Sequence, residues 1–154
     1  MKIVKAGLAA GFIGGALDIL AALTIYPAIY GAKPLRILQS IASGVQGPAA
    51  YQGGTASAAL GLGLHFLIAL AAGFVLTVAM ARVEILRRYT LVTGAGFGVA
   101  VYFFMQKIVL PLSNAAASQP DMKAMSIGLA IHIFLFGVPM ALAVRHVLET
   151  GRLR

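Results

Sequence analysis

Four long apolar runs divide the chain, and shorter polar segments separate them. The runs cover about residues 6–29, 56–80, 90–112 and 124–144. Each run has enough residues to cross roughly 30 Å of hydrocarbon as a helix that rises about 1.5 Å per residue. None shows the strict alternation of apolar and polar residues that a transmembrane strand needs. The pattern predicts an all-α, polytopic membrane protein, a single four-helix bundle over residues 1–154.

The connections between the runs differ in length. The segment 81–89 is short, which predicts that the second and third helices form an antiparallel hairpin. The third connection, 113–123, contains the turn-forming residues Asn114, Ser118, Gln119, Pro120 and Asp121. The first connection, 30–55, is much longer. Pro34 can begin a helix there. Four apolar residues then share one helical face: Leu35, Ile37, Leu38 and Ile41. We expect a short amphipathic helix on the outer membrane surface.

Charge supports a membrane protein and predicts its orientation. The chain is 60% hydrophobic and only 10% charged, whereas an average soluble domain is about 25% charged. Eight basic residues lie on one side of the predicted spans: Lys2, Lys5, Arg82, Arg87, Arg88, Arg145, Arg152 and Arg154. Four lie on the other: Lys33, Arg36, Lys107 and Lys123. The side richer in Lys and Arg is normally cytoplasmic. We therefore predict a bacterial inner-membrane protein with an uncleaved first span and both termini in the cytoplasm.

The net charge of +8 does not indicate nucleic-acid binding, because the basic residues lie in connections rather than in a patch with interleaved aromatics. The lipid bilayer is the expected partner. The chain contains no cysteine, which excludes disulfides and thiolate metal sites. It has no Gly-x-Ser-x-Gly, Walker or His-Glu-x-x-His motif, so we do not predict an enzyme.

Small residues recur at helical spacing within the runs, as in a glycine zipper. Successive runs contain Gly7, Gly11 and Gly15; Gly61 and Gly73; Gly94 and Gly98; and Gly128. Residues four apart share a helix face, and small faces let membrane helices approach closely. Polar residues lie on the same faces: Asp18, His65, Thr77, Tyr102, Gln106 and His132. We expect these polar residues to face protein rather than lipid.

Asp18 is the most informative of these residues, because it is the only charge in the first run. A lone carboxylate at that depth costs about 2.5–3.5 kcal/mol even by the lower estimates, so it normally has a partner. Helix rise places Asp18, His65 and His132 all about 12–16 Å from the outer surface. The sequence thus predicts one polar layer of these three residues. Gln106 and Lys107 should lie closer to that surface.

Several interpretations of the layer stay open. An Asp–His pair can hold helices together without further function. The layer can also belong to a proton or small-solute pathway loaded from outside, because histidine titrates near neutral pH. Tyr102, Gln106, Thr77 and Lys107 would extend that pathway. We predict no cofactor, although His65 and His132 could ligate haem b, or a divalent metal together with Asp18. A last interpretation is a structural or accessory subunit, in a homo-oligomer or a larger membrane complex.

The chain resembles the YagU-like bacterial inner-membrane proteins in pattern, over about residues 60–146. The resemblance rests on three features: His65 early in the second run; Gly94, Gly96 and Gly98 in a third run that ends at Pro111; and Gly128 with His132 in the fourth. It implies a small cytoplasmic-membrane protein with a link to acid tolerance. The chain departs from the pattern at Met105 and Gln106, where such proteins can have a histidine, and in its outer loop.

Overall fold

A computed structural model describes residues 1–116 and 121–150. The predicted loop residues Ser118, Gln119 and Pro120 lie outside the described residues, as do two of the cations used for orientation, Arg152 and Arg154. Helices and no strands are present in the described ranges. The predicted all-α class is confirmed at that level.

Four helices are long and apolar enough to cross a membrane, as the four runs predict. They are α1 (Lys2–Tyr30), α3 (Gly54–Arg82), α5 (Thr90–Leu112) and α6 (Met122–Glu149). Two shorter helices, α2 (Pro34–Gln46) and α4 (Glu84–Arg88), lie in the first and second connections. The long helices extend past the apolar runs, because the polar residues at their ends are also helical. At α6, the Asp121 side chain caps the helix by accepting a hydrogen bond from Ala124 N at 2.7 Å.

The four long helices do not form a closed bundle in which each helix packs on two neighbours. Helix α1 packs along both α3 and α6, and α3 contacts α6 over a shorter length. Helix α5 packs along α6 rather than along α3, so the predicted hairpin of the second and third spans is wrong. The short helix α4 separates the ends of α3 and α5. The apolar core lies among α1, α3 and α6 and is centred on Leu76, Met80, Phe136, Met140 and Val144.

Glycines allow the closest helix approaches. A Cβ at Gly73 would lie 2.6 Å from Gly11 N and 2.8 Å from Gly7 O, so α3 lies directly on the backbone of α1. Gly15 continues this contact, because its Cβ would lie 2.8 Å from the Ala69 Cβ. Such distances leave no room for any side chain, which explains why these positions on both helices are glycine.

The α5–α6 interface uses glycines in the same way. The added Cβ at Gly94 would meet the Gly137 carbonyl at 2.7 Å, and one at Gly98 would overlap the His132 carbonyl. Gly128 lies under the Tyr102 ring. Gly61 has a different partner from the one its stripe suggests. It faces the Leu38 carbonyl of α2 rather than another long helix.

Helix α2 packs against α3 through a small, polar side. Gln39, Ala42 and Ser43 are buried there, and Gln39 Nε2 donates a hydrogen bond to Gly54 O at 3.0 Å. Leu35 remains exposed on the other side. The location of α2 at a membrane surface stays a prediction.

Two segments of π-helix interrupt the long helices, Met105–Val109 in α5 and His132–Gly137 in α6. A proline follows each segment within two residues, Pro111 and Pro139. Proline has no N–H, and its ring crowds the carbonyl four residues earlier, so a wider turn relieves the strain. The segment in α6 begins at His132 and therefore affects the direction in which that side chain points.

Candidate functional site: the polar layer of α1, α3 and α6

Asp18 of α1 and His132 of α6 come together across the helix interface. Asp18 is 9% exposed, and its Oδ1 lies 3.6 Å from His132 Nδ1. That separation fits an ion pair but is too long for a good hydrogen bond. No atom in the described part of the chain forms a hydrogen bond with Asp18 Oδ1. The buried Oδ1 of Asp18 can therefore accept a further hydrogen bond, and the His132 imidazole lies beside it.

His132 has a second partner on its own helix. Its Nδ1 lies 3.0 Å from Gly128 O, one turn earlier. A carbonyl oxygen only accepts hydrogen bonds, so the proton of this bond belongs to Nδ1. The same N–H thus faces two acceptors, the Gly128 carbonyl and the more distant Asp18 carboxyl. A small rotation of the ring would move the hydrogen bond from one acceptor to the other.

His65 joins α3 to α1 close to this pair. Its Nε2 donates to Gly15 O at 2.9 Å, and Gly15 precedes Asp18 by three residues on α1. The absence of a side chain at Gly15 lets α3 approach closely enough for this bond. His65 is therefore one turn from Asp18, but its hydrogen-bonded nitrogen points at backbone rather than at the carboxyl.

Two tyrosines flank His132. The Tyr102 ring is 4% exposed and meets the His132 ring edge-on, with centroids 5.4 Å apart. Tyr26 also reaches this region. A Cβ placed on Gly128 would lie 3.2 Å from the Tyr26 hydroxyl and 3.7 Å from the Tyr102 hydroxyl. Both hydroxyls therefore converge on the turn that contains the acceptor of His132.

Tyr26 is absent from the sequence-based site. The spacing could have indicated that Tyr26 belongs to the layer, because Tyr26 follows Asp18 by eight residues and so lies on the same face of α1. Tyrosine near the end of an apolar run is also common at a membrane interface, so the spacing alone does not distinguish an inward side chain from an interfacial one.

Other predicted pathway residues lie apart from the pair. Gln106 is half-buried and Lys107 is exposed, both on the π segment of α5. Neither forms a side-chain hydrogen bond or ion pair with residues 1–116 or 121–150. Thr77 is fully buried, but it follows His65 by twelve residues, or about 18 Å along α3. The layer thus contains Asp18, His65, Tyr102 and His132, with Tyr26 added.

The residues do not fit a two-histidine, one-carboxylate metal site. Across the described ranges, no group of three His, Cys, Asp or Glu side chains is arranged to hold a metal ion. The His132 ring also packs against Phe136, with centroids 5.6 Å apart. Haem ligation by His65 and His132, an alternative to the predicted absence of a cofactor, stays untested.

Comparisons with protein-family models, with curated proteins and with solved structures gave no match.

Proposed function

We propose that this chain is an integral protein of the bacterial inner membrane that moves protons, alone or coupled to a small solute, through the Asp18–His132 layer. The single observation that carries the proposal is the Asp18 carboxyl. It is buried within an apolar helix, its Oδ1 lacks a hydrogen-bond partner among the described residues, and an imidazole N–H lies 3.6 Å away.

The distribution of charge supports a topology in which α1, α3, α5 and α6 cross the bilayer with both termini in the cytoplasm. Lys2, Arg87 and Arg145 gather at one end of the helices, where they line adjoining cavities. Lys123 lies over the Tyr30 ring at the other end. The end with more basic residues is normally cytoplasmic. Asp18 is then about 18 Å from the outer end of α1 and about 24 Å from the inner end.

The side chains around Asp18 suit proton transfer toward the outer side. Carboxyl, imidazole and phenol groups can each donate and accept a hydrogen bond in one of their protonation states. The His132 N–H can exchange acceptors between Gly128 O and Asp18 Oδ1, and the two tyrosine hydroxyls lie on the outer side of that step. A proton arriving from outside would pass the tyrosines, then His132, and reach Asp18.

The opposite direction is closed in this conformation. Leu76, Met80, Met140 and Val144 are almost completely buried between the layer and the basic end. Thr77, whose hydroxyl is buried, is a polar residue among these apolar side chains. Passage to the cytoplasm therefore requires a second conformation. The π segment ending at Gly137, just before Pro139, is a suitable place for α6 to bend.

Proton flux into proteoliposomes tests the proposal. We would reconstitute the full chain, impose a membrane potential and follow the interior pH with a trapped dye. Wild-type vesicles should acidify faster than empty vesicles, and Asp18→Asn should lower the rate to that of empty vesicles. The amide keeps the size of the carboxyl but does not exchange a proton.

Asp121→Asn is the matched control, because it makes the same change at a helix cap outside the layer and asparagine caps a helix about as well as aspartate. It should conduct like the wild type. Wild-type flux from folded Asp18→Asn protein, or no flux from wild-type protein, would contradict the proposal.

A structural or accessory subunit is the second candidate, and the open side of α5 favours it. Helix α5 packs on α6, while Val92, Phe103 and Phe104 remain exposed. A Cβ at Gly96 on this side would meet nothing within 4 Å. A homo-oligomer or a larger complex could cover this face. Native mass spectrometry of the detergent-solubilised protein would separate an assembly from a monomer. Membership of the YagU-like group is part of the proposal and rests on the sequence pattern alone.

A further inference from the structure

A basic cavity lies at the end of the molecule far from Asp18. It has a volume of about 530 Å³ and is lined by Glu84, Ile85, Arg87, Arg88, Arg145 and Glu149. A neighbouring cavity of about 210 Å³ shares Arg87 and Glu149 and extends to Lys2. Four cationic side chains from three separate helices thus surround two carboxylates. The excess of positive charge favours an anionic ligand.

Contacts within the protein hold the guanidinium groups in place. Arg87 Nη1 donates to the carbonyls of Met80 and Ala81 at the end of α3, the latter at 3.1 Å. Arg145 Nε donates to both carboxylate oxygens of Glu149 at 3.1 Å. Arg88 lies over the Tyr89 ring, 5.6 Å from its centroid. Positioned guanidinium groups lose less conformational entropy on binding and match the geometry of a phosphate.

Apolar side chains flank the cavity and indicate the source of the phosphate. Ile85 lines the cavity, and the Tyr89 ring lies against Arg88; both residues are 52% exposed. A free phosphate ion would gain nothing from this surface. The acyl chains of a phospholipid could pack against it while the headgroup enters the cavity.

We infer that this cavity binds the phosphate headgroup of an anionic phospholipid. Basic pockets between transmembrane helices on the cytoplasmic side are suited to such headgroups. The predicted orientation places the cavity at that side. The site is separate from the Asp18–His132 layer, because Lys2 and Asp18 are about 24 Å apart along α1. Lipid binding can therefore succeed or fail independently of proton flux.

Native mass spectrometry with lipid titration tests this inference. The purified full chain would be titrated with phosphatidylglycerol, and with phosphatidylcholine of the same acyl chains. Wild-type protein should prefer phosphatidylglycerol. The double variant Arg88→Gln/Arg145→Gln should weaken that preference more than about ten-fold, since each basic residue near an anionic lipid contributes about five-fold. Arg87 is left unchanged because it caps α3.

Lys33→Gln/Lys123→Gln is the matched control, because it removes two positive charges at the other end of the molecule. It should keep the wild-type preference. Glu149→Gln provides a variant with the opposite sign. It removes a negative charge from the cavity, and the side-chain amide oxygen of the variant can still accept a hydrogen bond from Arg145, so phosphatidylglycerol binding should strengthen about five-fold. A folding defect would not produce that gain.

Three results would overturn the inference. The first is an unchanged lipid preference in Arg88→Gln/Arg145→Gln. The second is an equal loss of preference in the control variant. The third is binding of inorganic phosphate alone as tightly as phosphatidylglycerol, which would assign the cavity to the free ion rather than to a lipid.

Discussion

His132 Nδ1 lies 3.6 Å from Asp18 Oδ1 while it donates to Gly128 O at 3.0 Å. One imidazole N–H thus donates to a carbonyl of its own helix and lies beside a second acceptor on α1. The nearer bond holds the ring against its own helix, and the longer contact connects α6 to α1. The contact places the buried Asp18 carboxyl in the interface between α1 and α6. The His132 N–H is the proton donor that the proposed pathway needs.

The Asp18–His132 contact should appear as a coupling free energy. Asp18→Asn and His132→Gln should each change the free energy of unfolding, and the double variant should differ from their sum by about 1 kcal/mol, which is typical of interhelical polar contacts. Titration with a denaturing detergent would measure all four proteins. His146→Gln replaces a histidine at the exposed end of α6 and should be additive with Asp18→Asn. Additivity of Asp18→Asn with His132→Gln would show that the pair does not interact.

Gly73→Ala should destabilise the protein, because the new methyl group would press on the backbone of Gly11 at 2.6 Å. Overpacking of this kind costs about 1–3 kcal/mol. Gly63→Ala is the matched control on the same helix, since a Cβ there meets nothing within 4 Å. Thermal melting in detergent would compare the two. Equal melting temperatures would contradict the close α1–α3 packing.

Gly98→Ala should disturb the polar layer from the α5 side. Its methyl group would overlap the His132 carbonyl and also press on Ile133, so α6 must shift where His132 begins the π segment. We expect lower stability and, if the proposed pathway is right, slower proton flux. Gly96→Ala lies two residues away on the open side of α5 and should be neutral or stabilising by up to about 1 kcal/mol, because alanine is the better helix former. Identical behaviour of both variants would exclude the interface.

The absence of cysteine makes the topology directly testable. Ser40→Cys places a thiol on the exposed side of α2, and Thr150→Cys places one after α6. In cells with a permeabilised outer membrane, an impermeant thiol reagent should label the first variant only. Lysis should expose the second to the reagent. Labelling in the reverse order would invert the orientation, and labelling of both before lysis would contradict the three crossings between Ser40 and Thr150.

The number of long helices and the all-α class could be predicted because the signal is local. A run of about twenty apolar residues is long enough to span the hydrocarbon whatever its neighbours are. The glycine stripes were equally readable, since residues four apart share a face in any helix. These same rules placed Asp18, His65 and His132 on small-residue faces at similar depth. They did not indicate which contacts those residues make.

The tertiary structure decided which faces meet. The short connection 81–89 favoured α3 as the partner of α5, but α5 packs on α6 instead. Either helix offers a small-residue face, and lipid provides no hydrophobic drive that favours one pairing. The partner of Gly61 proved to be α2, and Tyr26 joined the layer through the crossing of α1 with α6. The sequence alone determined the helices and their small faces, which depend on neighbouring residues. The Asp18–His132 contact depends on the packing of helices more than one hundred residues apart, and only the folded chain could specify it.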